Sequence, residues 1–170
     1  VTFQTAYSTI SALLASYDTQ VGCLKQTVSG WVSEQESADA ELEAAQGTLQ
    51  SNQSALLTAV NEAQTAFNTL KTKVNSTSVA GKYASDLDAI QNLIATANGV
   101  ATAAVPTTLA GVQEAEGNVS NQRGFITGSG EGSVTYKSTA VENGVTADLK
   151  YDLSLLIPDL KVQFNAYAAS

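Results

Sequence analysis

Histidine and methionine are absent from the sequence, cysteine occurs once and proline twice. Without histidine there is no Ser-His-Asp arrangement, and a lone thiol leaves almost nothing from which to build a His or Cys metal site. Charged residues are scarce, 14% of the chain against about 25% in ordinary soluble proteins. Positive charge is scarcest: eight Lys and Arg stand against sixteen Asp and Glu, a net −8. No basic patch exists to displace counterions from phosphates, so nucleic acid is excluded as a partner, and an anionic membrane surface is disfavoured. No unbroken apolar run reaches the length of about 18 residues that a membrane span needs. Phosphate-cradling motifs are missing too, since the one glycine-rich stretch, 128–133, lacks a correctly placed lysine. Sixteen carboxylates guarantee chance pairs but form no recognisable acid–base grouping. The chain therefore reads as a non-enzyme, with no catalytic residues and no cofactor.

What is present is a long heptad rhythm. Apolar residues recur at alternating spacings of four and three: Phe3, Tyr7, Ile10, Leu14, Tyr17, Val21, Leu24, Val28, Trp31. The frame continues through Ala38, Leu42, Ala45, Leu49, Leu56, Ala59, Ala63, Ala66 and Leu70, with Gln35 and Asn52 as its polar members. A mean spacing of 3.5 marks a helix with one packing stripe, as in coiled coils and bundles. Ser29-Gly30, followed by a capping box of Ser33 and Glu36, predicts a break between two helices. The unbroken frame across 24–42 predicts instead one helix that bends at Gly30. Towards residue 74, Val60, Phe67 and Val74 fall one position late, so the apolar face widens or rotates.

A third helix is expected around Tyr83, Leu87, Ile90, Ile94, Ala97, Ala101 and Ala104, stopped or kinked by Pro106. A shorter fourth should carry Leu109, Val112 and Val119. After Gly124 the period changes to two. Val134 to Val141 alternates, Val145, Ala147, Leu149, Tyr151, Leu153, Leu155 and Ile157 alternate with polar residues, Asn143-Gly144 between them is a hairpin signal, and Leu160, Val162, Phe164 and Ala166 suggest a third strand after Pro158-Asp159. The expected fold is α+β: a long antiparallel helical bundle or coiled coil of three or four helices over 1–123, then a small antiparallel β-meander over 124–170, packed on the bundle or on a neighbouring subunit.

Several residues are candidates for particular roles. Glu34, Glu36, Asp39, Glu41 and Glu43 lie between Lys25 and Lys71 with no compensating base; they are either a solvated helix face or weak Ca²⁺ ligands, carboxylate oxygen being what Ca²⁺ takes. Cys23 sits at the edge of the stripe, as a small buried residue or as half of an intermolecular disulfide. Asn52, Asn75 and Asn118 each head an Asn-X-Ser/Thr triplet, with Asn75 the best placed for a glycan.

The first residue is not methionine, which implies removal of a preceding segment and, with a surface of Ser, Thr, Asn and Gln, suggests a secreted or secretory-granule protein. The heptad stripe could run on the order of 100 Å at 1.5 Å per residue, too long for a chain of this size to cover. Self-association is therefore expected, through the assembly seam of Phe3, Tyr7, Ile10, Leu14, Tyr17, Val21, Leu24, Trp31, Leu42, Leu49 and Leu56, through open strand edges, or both. In being small, acidic, helical and proteolytically trimmed, the chain resembles the trichocyst-type matrix proteins of ciliate secretory granules, which implies a structural granule subunit. The alternatives are a monomeric adhesion or receptor-binding module, and a carrier holding apolar ligands between Tyr7 and Tyr17.

Overall fold

The computed structural model describes residues 2–168, with side-chain surroundings through Leu156. It contains four helices and, among the described residues, no strand: α1 (Phe3–Asn75), α2 (Ala80–Ala101), α3 (Leu109–Thr127) and α4 (Val134–Ala168). The chain divides into two compact units, Val1–Ala45 and Gln46–Ser170.

The first unit is the leading part of α1. The helix is continuous through Ser29-Gly30, so the unbroken frame prevails over the break signal. A Cβ at Gly30 would meet nothing, and the residue costs the helix only its intrinsic penalty of about 1 kcal/mol.

The second unit is a helical bundle built from the remainder of α1 with α2, α3 and α4. Along α1 the buried residues are Leu49, Gln53, Leu56, Val60, Phe67, Leu70 and Val74. The stripe has therefore rotated by one position from the upstream frame, so that Val60 and Phe67 face the core while Ala66 is exposed. In α2 the buried residues are Tyr83, Leu87, Ile90, Ile94, Ala97 and Ala101, the expected four-and-three alternation, while Ala104 lies beyond the end of the helix. From α3 come Val112, Val119 and Ile126, and from α4 Val134, Val141 and Val145.

Polar side chains of α1 close the far end of the bundle. Pro106 stops α2 short of α3, which leaves carbonyls without helical partners. Gln46 Nε2 donates to Pro106 O at 2.7 Å, and Gln53 Nε2 to Ala103 O at 3.0 Å. Thr108 then caps α3 by accepting from Gly111 N at 3.2 Å. Gly111 is required there, because a Cβ would lie 2.9 Å from Pro106 Cβ. In mid-bundle Gln64 and Gln91 exchange amide hydrogen bonds at 3.1 and 2.9 Å.

The β-meander does not exist. All of its expected strands, the hairpin at Asn143-Gly144 and the turn at Pro158-Asp159 lie inside α4, so the fold is a helical bundle and not α+β. Ser133, 2% exposed, starts this helix by accepting from Tyr136 N at 3.1 Å. Its inward side is Val134, Ser138, Val141, Val145 and Asp148, again four and three apart. Two polar members hide that rhythm from a hydrophobicity count. Gly144 makes a close approach rather than a turn: a Cβ there would lie 2.6 Å from Tyr83 Oη.

Candidate functional site

Amphipathic helices owe most of their stability to the packing of the apolar face. In the first unit that face is left open among the described residues, as every residue from Thr2 to Glu41 is exposed. Phe3 is 87% exposed, Tyr17 64% and Trp31 63%, with Tyr7, Ile10, Leu14, Val21, Leu24 and Val28 also open along the same stripe. Leu13 and Val32 widen it. A contiguous exposed apolar surface of this kind marks an interaction site. Leu49 and Leu56 share the frame but are fully buried in the second unit, and Leu42 is half-buried. One heptad sequence thus has two fates, open up to residue 41 and internal core from Leu49 onward.

Electrostatics divide the first unit again. Up to residue 33 it carries one acid, Asp18, and one base, Lys25; Glu34, Glu36, Asp39, Glu41 and Glu43 then follow on the same exposed helix. Gln35 Nε2 donates to Asp39 at 2.7 Å, one turn on. Among the described residues, no three His, Cys, Asp or Glu come together in a group that could hold a metal. Cys23 is an exposed free thiol and not the small core residue that was one of its two readings. Tyr7 and Tyr17 lie on an open helix face, without the enclosing walls that a carrier needs.

In the second unit the chemistry-bearing residues gather where α2 meets α4. Lys82 Nζ lies 2.8 Å from Asp148 Oδ2 and 3.0 Å from Oδ1, and Tyr83 Oη donates to Oδ2 at 2.7 Å. The hydrogen bond from Lys82, then that from Tyr83, hold the Asp148 carboxyl below its ordinary range. The same bonds to Asp148 raise both Lys82 and Tyr83. These shifts stabilise each group in the form it already has at neutral pH. The triad is accordingly a clamp between helices with no poised acid or base. Nothing in the sequence flagged it, since Lys82 and Tyr83 lie 66 and 65 positions from Asp148; the NG dipeptide that accommodates Tyr83 read as a turn.

A cleft of about 550 Å³ lies between the end of α3 and the following loop, lined by Asn118, Asn121, Gln122, Phe125 and glycines. None of these side chains titrates near neutral pH. Of the three triplet asparagines, Asn75 and Asn118 are exposed. Asn52 is half-buried, with its Nδ2 donating to Glu116 Oε2 at 2.9 Å, so a glycan there would cost a contact between α1 and α3. Among the described residues, no helix is long and apolar enough to cross a membrane. No protein-family model, curated protein or solved structure matches the chain.

Proposed function

We propose that this chain is a structural subunit that assembles with copies of itself, through the apolar stripe of the first forty residues of α1. The observation that carries the reading is the exposure of every member of that stripe, from Phe3 to Trp31, along one continuous helix. Burial of a large apolar side chain contributes about 1.5–3 kcal/mol, which gives self-association a strong drive. The sheet-edge route to assembly falls away with the sheet. A second apolar patch takes its place: Tyr151, Leu153, Leu155 and Leu156 of α4 are all more than half exposed. Two separate surfaces matter, because one self-complementary contact stops at a dimer, whereas two allow a filament or lattice. Secretion, or storage in a secretory granule as a trichocyst-type matrix subunit, belongs to the same proposal. It is supported by the low charge content of the chain, 14%, which leaves Ser, Thr, Asn and Gln to supply the polar surface.

Light scattering on the full chain over a hundredfold range of concentration tests the proposal. The expected result is a mass that rises with concentration, and its collapse to the monomer in a Leu14→Glu, Leu24→Glu variant. A native chain that stays monomeric at high concentration would overturn it, and would leave the adhesion-module reading in its place.

A further inference from the structure

The charges on the first unit specify how two copies meet. Number the heptad so that Tyr7, Leu14, Val21 and Val28 are a, and Phe3, Ile10, Tyr17, Leu24 and Trp31 are d. Asp18, Lys25 and Asp39 then fall at e, and Glu34 and Glu41 at g, flanking the seam. In a parallel pair each g residue meets the e residue of the next heptad on the other helix. Glu34 would meet Asp39 of the second copy, twice, while Asp18 and Lys25 would find no opposite charge. In an antiparallel pair, e meets e and g meets g.

We infer that two copies pair antiparallel through Phe3–Leu42, in the register that sets Val21 against Leu24 of the second copy and Asp18 against its Lys25. This rests on the reading of the chain as a self-assembling subunit and adds to it the partner's direction and register. Three observations agree on it. First, Asp18 and Lys25 pair twice about the two-fold axis, whereas a slip of one heptad either way sets Asp18 against Asp18 or Lys25 against Lys25. Second, the acidic residues 34–43 come opposite residues 2–11 of the other copy, where there is no charge. Third, each aromatic faces an aliphatic residue: Phe3 meets Leu42, Tyr7 meets Ala38, Tyr17 meets Val28 and Trp31 meets Leu14. Alternation of large and small side chains across a seam is how cores fill without voids. A parallel pair would instead stack each of these aromatics on itself. The overlap removes on the order of 2,000 Å² from water, the scale of a stable interface.

Charge reversal in the full chain tests the register, by sedimentation equilibrium. Asp18→Lys and Lys25→Asp each turn both attractive pairs repulsive and should weaken self-association about 10- to 30-fold. The double variant should return to the native value, and an equimolar mixture of the two single variants should do the same by forming mixed dimers. Asp18 and Lys25 are both exposed in the single chain, so folding of the bundle is not at stake. Native-like association of both single variants would overturn the register while leaving self-assembly standing, the seam then being covered in another direction or by the α4 patch. A native chain that does not associate would overturn both.

Discussion

Replacing Gly144 with alanine should destabilise the bundle, although the same change stabilises most helices. Alanine is favoured over glycine in a helix interior by about 1 kcal/mol, so an open site gains roughly that amount. Gly117 in α3 is such a site, exposed and with nothing within 4 Å of an added Cβ. At Gly144 the methyl would lie 2.6 Å from Tyr83 Oη and 3.1 Å from its ring. The tyrosine must swing away, and its hydrogen bond to Asp148 at 2.7 Å breaks. Overpacking of this kind costs about 1–3 kcal/mol, which outweighs the propensity gain and leaves a net loss of about 1 kcal/mol. Native-state hydrogen exchange at the Ile90 and Ile94 amides reads the bundle alone, because both residues are fully buried within it. Exchange at these sites should quicken in Gly144→Ala and slow in Gly117→Ala. If the two variants shift protection in the same direction, the close approach of α4 to Tyr83 is not a constraint, and the argument for Gly144 fails.

The same clamp should give stability a defined pH profile. Asp148 is depressed, so its contribution is full above the ordinary carboxylate pKa of about 3.9 and is lost as pH falls through the lower folded value. Lys82 and Tyr83 are raised, so theirs is full below about 10 and is lost as pH rises through the folded values. The stability difference between the native chain and Asp148→Asn should therefore be constant across neutral pH and shrink at both extremes in urea titrations. A difference that varies between pH 6 and 8 would contradict this. Cys23 occupies position c of the heptad, off the contact face. Its counterpart in an antiparallel pair is then beyond the Cα separation of about 7 Å that a disulfide bridges. Cys23→Ser should leave the association constant unchanged, and dimer that survives only without reductant would count against the pairing.

The helical rhythm up to residue 122 was legible because hydrophobic spacing carries it directly, as at Tyr83, Leu87, Ile90 and Ile94, all of which are buried. What defeated the reading of α4 is that alternate and helical spacings overlap over a short window. Val145, Leu149 and Leu153 belong to a period of two and also to a run of i, i+4 and i+8. Length could have arbitrated, since alternation over 145–157 exceeds a normal strand of about five or six residues. Ser133, the cap that commits Val134 onward to a helix, reads in sequence as the tail of a flexible loop. The Tyr83–Asp148 clamp was illegible in principle, because a long-range pair leaves no local signature.

The split within α1 follows from a different limit. Periodicity reports that a helix has a packing face, and it does not report what packs there. Leu14 and Leu56 occupy the same heptad position, and one is 60% exposed while the other is fully buried. Small differences around the frame decide it. Downstream, Val60, Phe67 and Val74 fall one position late and rotate the stripe towards α2, α3 and α4, whereas upstream the aromatics hold strict four-and-three spacing, which keeps one narrow stripe along the helix. Glu34 to Glu43 sit between these regimes. An acidic block at that point leaves the local bundle contacts untouched, and under the pairing proposed above it would penalise a parallel neighbour, so the sequence that separates the two packing modes would also select the direction in which another copy arrives.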